Sequence, residues 1–257
     1  MSSATEIASR LINAYRTFSP IEPVRGEISG VAAAYAVQQA SVDVWRREGR
    51  RVAGEKIGLT AKAVQEQLGV GEPDFGTLFT DMILDDGATI ARKAVLQPRL
   101  EGEIAFVLKS DLRGSAITPE QVIAATDYVC PAFEICGSRI ARWDIKIEDT
   151  IADNASSGLV VKGQQRIKPE LAALAEIAMS IRRNGAVAGE GKGAACLGNP
   201  AIAVAWLAEA LTRLGDGLRA GEFVMSGALS RMLPVEPGDA FAADFSSLGS
   251  VSVSFAK

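Results

Sequence analysis

The sequence predicts an α+β protein, with a smaller helical part at the N-terminus followed by a mainly antiparallel or mixed β-sheet. Two observations predict this class. Apolar residues recur at helix spacing through the first 50 residues, whereas from about residue 89 onward the chain contains short apolar runs typical of strands. At 257 residues the chain can bury a substantial core, as one large domain or two modest ones.

The N-terminal part contains two predicted helices. The first has four apolar residues at helix spacing: Ile7, Leu11, Ile12 and Tyr15. After a loop, FSPIEPVRGEISG, a second helix extends from about residue 31 to residue 48 and ends near Gly49. The next segment, RVAGEKIGLT, predicts a strand, and AKAVQEQLG predicts a short helix. The segment GVGEPDFGTLF is rich in turn residues, which favours a loop.

Two apolar runs in the middle of the chain predict strands, IAFVLK at 104–109 and YVCPAFEI at 128–135. The segment TPEQVIAATD lies between them. It predicts a helix, because Thr118 can cap the N-terminus and Pro119 is favoured at the first helical position.

The C-terminal part continues with a predicted hairpin. The runs IAMSIRR and AVAGE flank Asn184-Gly185, a pair typical of a type I′ turn. A long helix is predicted from about Pro200 to Leu214, ended by Gly215. The run VSVSFA at 251–256 alternates apolar and polar residues, as an antiparallel strand with one buried face should.

Charge and composition exclude several classes of protein. The net charge of −4 and the lack of a long basic run argue against a nucleic-acid partner. The N-terminus contains no apolar stretch resembling a signal peptide, and AIAVAWLAEAL at 201–211 is too short to span a bilayer, so we expect no membrane partner. Three cysteines in no closely spaced motif argue against a disulfide framework and favour reduced thiols in the cytoplasm.

The chain contains no histidine. This excludes Ser-His-Asp and Cys-His catalytic triads, and it excludes any imidazole metal site. Because the three cysteines form no cluster either, we expect a metal site to be built from carboxylates and other oxygen ligands, which favour hard ions such as magnesium, manganese or calcium. General acid–base catalysis is left to Asp, Glu, Lys, Tyr or bound water.

The first candidate site is the acidic pair in QPRLEGEIAFVLK. Strand geometry places Glu101 and Glu103 on the same face as Ala105, so this face is expected to extend inward. The alternative is a solvated strand end. Gly102, between the two acids, permits close approach of another backbone.

Two further charged residues lie in predicted strands. Glu134 is the single charge in YVCPAFEIC, and a buried carboxylate needs a partner. That partner is either an arginine such as Arg139 or a metal ion shared with the acidic pair. Lys56 in GEKIGLT is either a solvated lysine or a cation that faces a substrate carboxylate or enolate.

Two polar segments complete the candidates. Asp74 in EPDFG is either a turn former or a general acid–base group on a rigid loop. In ADNASSG, Asn154 and Ser156 either form a turn or offer neutral hydrogen bonds to a substrate. The match of this segment to a glycosylation acceptor carries little weight without a secretory signal.

Several long motifs, in the same order along the chain, resemble those of the 2-keto-4-pentenoate (2-hydroxypenta-2,4-dienoate) hydratases of aromatic meta-cleavage pathways. These enzymes belong to the fumarylacetoacetate hydrolase superfamily. The resemblance extends from about residue 31 to the end and is strongest between residues 54 and 160. The motifs are KIGLTAKAVQEQLGV, EPDFGTLF, LQPRLEGEIAFVL, PAFEICGSRIARWDIKIEDTIADNASSGL and LGNP.

The resemblance implies a site, a fold and a domain division. Carried over motif by motif, the metal ligands are Glu101, Glu103 and Glu134, and the catalytic residues are Lys56, Asp74 and Ser156. The implied fold is a mixed β-roll with a smaller N-terminal helical part. A mainly helical part, residues 1–70, would contribute Lys56, and residues 71–257 would form the catalytic domain. Homo-oligomers of five or ten subunits are also implied.

The implied activity is metal-dependent addition of water to 2-hydroxypenta-2,4-dienoate, giving 4-hydroxy-2-oxopentanoate, with Mg²⁺ or Mn²⁺ as the cofactor. The metal would hold the substrate's 1-carboxylate and 2-oxygen and act as a Lewis acid. Lys56 would hold the carboxylate or oxyanion. Asp74 would move a proton or activate water, and Ser156 would orient the substrate or the water.

Other activities remain as alternatives. A 4-oxalocrotonate decarboxylase and a hydratase for a dicarboxylate substrate belong to the same superfamily, although the PDFG segment favours the hydratase. Hydrolysis of an acylpyruvate is disfavoured because those members typically carry a His-Glu dyad. A noncatalytic partner subunit of a pathway decarboxylase is a further alternative, against which the intact Lys56, Asp74 and three glutamates argue.

Overall fold

The structure is a computed structural model and describes residues 2–61, 65 and 71–257. The described helices are α1 (Ala4–Thr17), α2 (Gly30–Arg47), α3 (Pro119–Ala125), α4 (Ile147–Ala152), α5 (Leu171–Glu176) and α6 (Pro200–Arg213). The described strands are β1 (Val52–Gly58), β2 (Asp74–Phe79), β3 (Ile83–Asp85), β4 (Ala88–Ile90), β5 (Arg99–Leu108), β6 (Thr126–Cys136), β7 (Leu159–Lys162), β8 (Ala178–Arg183), β9 (Ala186–Lys192), β10 (Phe223–Ala228), β11 (Leu233–Pro234), β12 (Ala240–Phe245) and β13 (Gly249–Phe255). The short helix predicted over 61–69 lies, apart from residues 61 and 65, outside the described residues.

The N-terminal helices pack around a small hydrophobic cluster that also includes α4. Helix α1 begins at a capping box, in which Glu6 N donates to Ser3 Oγ and Ser3 N donates to Glu6 Oε2. Its apolar stripe, which includes Leu11, shares a buried cluster with Val37 of α2 and Ile151 of α4. Both helices predicted for this part of the chain are confirmed.

The strands form two curled sheets. The large sheet has eight strands, ordered β2-β1-β10-β5-β6-β7-β3, with β11 also pairing with β5. Most of its neighbours are antiparallel, but β1 pairs in parallel with β10, and β3 with β7, so the sheet is mixed. The small sheet has five strands in the order β4-β13-β12-β8-β9. The predicted α+β class with a smaller N-terminal helical part is confirmed.

Because side chains alternate along a strand, the large sheet has two distinct faces. On the face that we call the outer face, Phe106 and Phe133 share a hydrophobic cluster with Ile181 of the small sheet. On the opposite face, which we call the inner face, Ala105 and Met225 belong to a second cluster. The predicted alternation in β5, with Ala105 on one face and Phe106 on the other, is confirmed.

Gly102 allows the two sheets to approach closely. A Cβ atom at this position would lie 2.3 Å from Met179 Sδ in the small sheet. The glycine between Glu101 and Glu103 therefore points to the outer face, toward the small sheet, while both acids point to the inner face. The close approach predicted at Gly102 is present.

The remaining predicted elements are found with small shifts. The hairpin turn has positive φ at both Asn184 (53°) and Gly185 (87°), as a type I′ turn requires. Helix α3 ends at Ala125, because β6 already begins at Thr126. Helix α6 and the alternating strand β13 lie where the sequence predicts them.

One predicted loop is wrong. The segment GVGEPDFGTLF contains strand β2, whose Asp74 lies opposite Gly58 and whose Gly76 lies opposite Lys56 in β1. The turn residues favoured a loop, but pairing with β1 provides the backbone hydrogen bonds that define a strand. Strand β1 itself lies between β2 and β10, so Lys56 comes from the large sheet. The division of the chain at residue 70 stays a prediction.

The stretch Gly193–Arg213, which contains α6, has the length and apolar composition of a membrane-spanning helix. However, 56% of its most apolar window is buried inside the protein. Ala203, Val204 and Leu207 of α6 belong to the same cluster as the outer face of the large sheet. A core helix of a soluble protein has these properties, and this burial accounts for its composition.

Candidate active site

The candidate residues meet on the inner face of the large sheet. Glu101 lies directly opposite Glu134 across the pairing of β5 with β6, and Glu103 lies opposite Ala132. Lys56 reaches the same face because it pairs with Met225, which in turn pairs with Ala105. The antiparallel and parallel registers together place acids and lysine from distant parts of the chain on one surface.

The three glutamates form a buried acidic cluster. Glu103 is fully buried and Glu134 is 1% exposed, whereas Glu101 is partly exposed. Carboxylate atoms of Glu101 and Glu134 lie within 4.8 Å of each other and of Cys136 Sγ. Glu103 Oε2 accepts a 2.7 Å hydrogen bond from Gly227 N.

Several oxygens of this cluster have no hydrogen-bond partner among the described residues. They are Glu103 Oε1 and Glu134 Oε2, while Glu134 Oε1 makes an ion pair with Lys56 but no hydrogen bond. Burial, together with the charge of the neighbouring Glu134, raises the pKa of Glu101 to about 7. Burial also raises the pKa of Glu103 well above its ordinary value, with the charges of Glu134 and Glu101 adding to the shift. A set of buried, unpartnered carboxylate oxygens that repel one another fits a divalent cation.

Lys56 is the cationic partner of this cluster. Its side chain is 4% exposed, and its Nζ lies 3.2 Å from Glu134 Oε1 and donates a 2.7 Å hydrogen bond to Ala155 O. Burial on its own lowers the pKa of Lys56, but the carboxylates around it, above all that of Glu134, outweigh burial and raise the pKa. The ammonium group therefore stays charged inside the protein.

Asp74 lies beside Lys56, on the first residue of β2. Both side chains lie over Gly58, where an added Cβ would come 2.2 Å from Asp74 Oδ1 and 3.5 Å from Lys56 Nζ. Burial raises the pKa of Asp74, although Lys56 opposes this shift. Asp74 Oδ1 has no hydrogen-bond partner among the described residues, so it can still accept or donate a proton.

A short chain of hydroxyl groups leads away from Asp74. Thr150 Oγ1 donates to Asp74 Oδ2 at 3.3 Å and lies 3.4 Å from Ser156 Oγ. All three side chains are buried. This arrangement links the carboxyl of Asp74 to the hydroxyl of Ser156.

Ser156 belongs to a left-handed turn. Asn154, Ala155 and Ser156 have φ values of 54°, 50° and 52°, a conformation that costs non-glycine residues free energy. Two hydrogen bonds to strand β2 hold it. The side chain of Asn154 accepts from Thr77 N at 2.8 Å and donates to Thr77 O at 2.9 Å. The turn is what presents Ala155 O to Lys56.

A buried ion pair fixes the start of this turn. Arg139 Nε donates to Asp153 Oδ1, and Arg139 N donates to Asp153 Oδ2 at 2.9 Å. Arg139 Nη1 also donates to Ser157 O at 2.6 Å. Arg139, the alternative partner considered for Glu134, is therefore committed to Asp153 and Ser157, and Glu134 pairs with Lys56 instead.

The structure brings the six predicted site residues together and changes the local interpretation of two of them, Lys56 and Asp74, and of the neighbouring Asn154. Lys56 is not solvated, Asp74 begins a strand, and Asn154 is a structural residue bound to β2. Sequence reasoning did not identify two nearby residues, Cys136 and Thr150. Cys136 follows Glu134 by two positions on the same strand face, a spacing that could have identified it. No local pattern in KIEDTIADNAS distinguishes Thr150.

Comparison with known proteins identifies the family. Residues 35–256 match the family model described as fumarylacetoacetate (FAA) hydrolase C-terminal. The 2-keto-4-pentenoate hydratase of Paraburkholderia xenovorans (strain LB400) is 49% identical to this chain over 254 residues, covering 97% of this chain and 94% of that protein. The chain belongs to the 2-keto-4-pentenoate hydratase family of the fumarylacetoacetate hydrolase superfamily. The resemblance inferred from its motifs is confirmed.

A second relative is named for a longer substrate. The 2-hydroxyhexa-2,4-dienoate hydratase of Comamonas testosteroni is 46% identical, covering 93% of this chain and 91% of that protein. Relatives named hydratases at this identity, over nearly the full length, make the chain a hydro-lyase.

Solved structures agree on the fold. A 4-oxalocrotonate decarboxylase from Pseudomonas putida G7, complexed with magnesium and adipate, superposes with a TM-score of 0.95 at 33% identity, covering 98% of this chain and 97% of that one. A fumarylpyruvate hydrolase from Pseudomonas aeruginosa, in complex with Mn²⁺ and pyruvate, has a TM-score of 0.62 at 16% identity, covering 80% of this chain and 89% of that one. The predicted fumarylacetoacetate hydrolase-like β-roll is confirmed.

Proposed function

We propose that the protein adds water to 2-hydroxypenta-2,4-dienoate, or to a close 5-substituted analogue, and produces the 4-hydroxy-2-oxo acid. The observation that carries this proposal is the buried acidic cluster with unpartnered oxygens next to a charged, buried Lys56. Such a site can bind a divalent ion and an anionic substrate side by side. Relatives named hydratases for the pentadienoate and the hexadienoate support this substrate class.

Glu101, Glu103 and Glu134 would hold the metal, for which we propose Mg²⁺ or Mn²⁺. Their hard carboxylate oxygens suit these ions, and a structural relative contains magnesium. The bound ion would supply positive charge to the substrate's 1-carboxylate and 2-oxygen. Protonation of the clustered acids competes with the ion, so binding of the metal should release protons.

Lys56 would bind the substrate next to the metal-binding acids. Its ammonium can donate to the 1-carboxylate or to the developing negative charge on the 2-oxygen. Because Ala155 O and Glu134 Oε1 already fix the position of Nζ, little reorganisation is needed when charge develops on the substrate. The lysine would therefore orient the dienoate and stabilise its enolate.

Asp74 would carry protons to and from the carbon chain. Loss of the 2-hydroxyl proton and addition of a proton at C5 give a 2-oxo-3-enoate, which is electrophilic at C4. Water then adds its hydroxyl to C4, and C3 gains a proton. The pKa of Asp74, raised by burial, and its unpartnered Oδ1 suit a group that exchanges protons with the substrate. Ser156 would orient the substrate or water.

The test is an activity screen of the purified protein with added Mg²⁺. The substrates are 2-hydroxypenta-2,4-dienoate, 2-hydroxyhexa-2,4-dienoate, a dicarboxylate analogue and 4-oxalocrotonate. We expect loss of the dienol absorbance and a product heavier by one water for the first two substrates. Turnover should disappear after treatment with a chelator and return with Mg²⁺. A Glu103→Gln preparation, purified identically, controls for contaminating hydratases.

Other outcomes would overturn the proposal. Release of CO₂ from 4-oxalocrotonate without hydration would assign the chain to the decarboxylase alternative. This chain is 33% identical to a solved decarboxylase and 49% identical to a hydratase. No turnover of any substrate would support a noncatalytic partner subunit. A five- or ten-membered ring, association with a pathway decarboxylase and a cytoplasmic location stay predictions.

A further inference from the structure

Cys136 is a sulfur atom placed inside the acidic cluster. It lies on β6 two residues after Glu134 and points to the same inner face. Its Sγ lies 3.5 Å from Glu101 Oε2, to which the thiol donates. The Cys136 sulfur, a Glu101 oxygen and a Glu134 oxygen all lie within 4.8 Å of one another. These three atoms are spaced closely enough to bind one ion.

The other two cysteines have different surroundings. The thiol of Cys196 donates a 2.7 Å hydrogen bond to the backbone oxygen Ser226 O. Cys130 lies opposite Ala105 and belongs to the apolar cluster of the inner face. Among the described cysteines, Cys136 is the one grouped with two carboxylates. The two others therefore provide matched controls.

A second observation points to a cation at Cys136. Glu134 is 1% exposed, and while its Oε1 pairs with Lys56 Nζ, its Oε2 has no partner among the described residues. A buried carboxylate with free lone pairs beside a thiol is a mixed oxygen and sulfur donor set. Oxygen donors alone favour hard ions, whereas an added sulfur favours thiophilic ions such as Cd²⁺ and Zn²⁺.

We propose that Cys136 makes this centre a site for thiophilic divalent ions, which bind through Glu101, Glu134 and the Cys136 sulfur. The proposal rests on the metal site proposed above. As the bond between sulfur and metal forms, the S–H bond breaks and its proton passes to solvent, with no change of oxidation state. With Mg²⁺ the thiol keeps its proton and remains a donor to Glu101.

The consequence is competition between two kinds of ion at one centre. A thiophilic ion bound through the sulfur occupies the carboxylates that Mg²⁺ would use. We expect Cd²⁺ to bind the wild-type protein at least about tenfold more tightly than Cys136→Ser, a difference of roughly 1.4 kcal/mol. Added Mg²⁺ should displace Cd²⁺ from Cys136→Ser at lower concentration than from the wild type.

The experiment is a titration of the metal-free protein with Cd²⁺, followed by the sulfur-to-cadmium charge-transfer absorption in the ultraviolet. The wild type, Cys130→Ser and Cys196→Ser should all develop the band at one equivalent, and Cys136→Ser should not. Melting temperatures of the four metal-free proteins show whether each is folded. A band that persists in Cys136→Ser, or that disappears in Cys196→Ser instead, would overturn the proposal.

The absorbance is independent of turnover, so the two proposals can fail separately. If the wild type shows no band but hydrates its substrate with Mg²⁺, the inference about Cys136 is wrong and the proposed function stands. If the band depends on Cys136 while no divalent ion supports hydration, the proposed function is wrong and the thiophilic site stands.

Discussion

Lys56 illustrates, at the scale of one residue, how burial changes what a side chain can do. In the sequence it is a lone lysine in a strand, but in the structure it is 3% exposed and ion-paired with Glu134. A buried ion pair adds little net stability, yet removing one partner leaves the other charge uncompensated. The same residue therefore affects both activity and stability.

Replacing Lys56 with Met tests both effects. We expect kcat/KM to fall at least about tenfold, because a charge-assisted hydrogen bond to the substrate contributes roughly 1.5–3 kcal/mol. In the metal-free protein the unfolding free energy should fall on the order of 3 kcal/mol, since Glu134 loses its cation. Mg²⁺ should restore part of that loss. Kinetics and thermal melting with and without Mg²⁺ measure these effects.

Lys162→Met is the matched control. Lys162 lies in β7 and pairs with Asp85 at 3.2 Å, but its side chain is 43% exposed and that of Asp85 is 88% exposed. An exposed pair of this kind contributes little to stability. If Lys56→Met behaved like Lys162→Met in both measurements, Lys56 would have no role in the site.

Glu103 gives a second prediction at this scale. Because Glu101 and Glu134 repel its charge, Glu103→Gln should leave the melting temperature of the metal-free protein unchanged or raise it. The amide oxygen can still accept from Gly227 N. The rise in melting temperature on adding Mg²⁺ should shrink, and turnover should fall at least about a hundredfold, as about 2.7 kcal/mol corresponds to two decades. A wild-type response to Mg²⁺ in this variant would remove Glu103 from the metal site.

At the scale of elements, the left-handed turn and strand β2 depend on each other. A Cβ at Gly76 would lie 2.3 Å from Asn154 O and 2.9 Å from Ser157 Oγ. Because Asn154 O is a backbone atom, it can make room for this Cβ only if the whole turn is displaced. Displacing the turn would shift Ala155 O away from Lys56 and Ser156 away from Thr150.

We therefore expect Gly76→Ala to lower the unfolding free energy by about 2 kcal/mol and to lower kcat. Gly71→Ala is the control, because a Cβ there would meet no atom of the described residues within 4 Å. Thermal melting and steady-state kinetics on both variants measure the effect. Equal behaviour of the two variants would show that the contact between β2 and the turn does not position the site.

At the scale of the whole molecule, a buried acid outside the site makes stability depend on pH. Glu55 points to the outer face, beneath α2, with Thr77 Oγ1 3.3 Å from its Oε1. Burial and, to a smaller extent, the charge of Glu222 raise its pKa from 4.5 to about 8. Between these pH values the folded protein holds a proton that the unfolded chain has released. The stability contributed by this proton is therefore present at low pH and is lost as pH rises toward 8.

Glu55→Gln removes this titration and keeps an acceptor for Thr77. We expect the variant and the wild type to have similar unfolding free energies near pH 5. Near pH 8 the variant should be more stable by at least about 1 kcal/mol, since each pH unit contributes up to roughly 1.4 kcal/mol. Urea unfolding at several pH values in the presence of a chelator measures the difference. Parallel curves for the two proteins would contradict the buried, proton-holding role.

The sequence by itself determined the features that follow from local periodicity and composition. Strand alternation placed Glu101 and Glu103 on one face, and the apolar surroundings of Glu134 identified a buried acid. The absence of histidine excluded imidazole ligands from the site. The cap at Thr118 predicted the start of helix α3, and Asn184-Gly185 predicted the turn between β8 and β9. The long motifs identified the family, because several in the same order are far more specific than one.

Only the tertiary structure decided what depends on contacts between distant segments. The order of strands placed β1 beside β10, and this brought Lys56 close to Glu134. Arg139 is not the partner of Glu134, because it pairs with Asp153. Pairing with β1 turned a segment rich in turn residues into β2. The physical reason is that burial and pairing are set by which strands become neighbours. The sequence of one segment determines which side chains share a face of its strand. The neighbouring strands determine which charged groups lie close to those side chains.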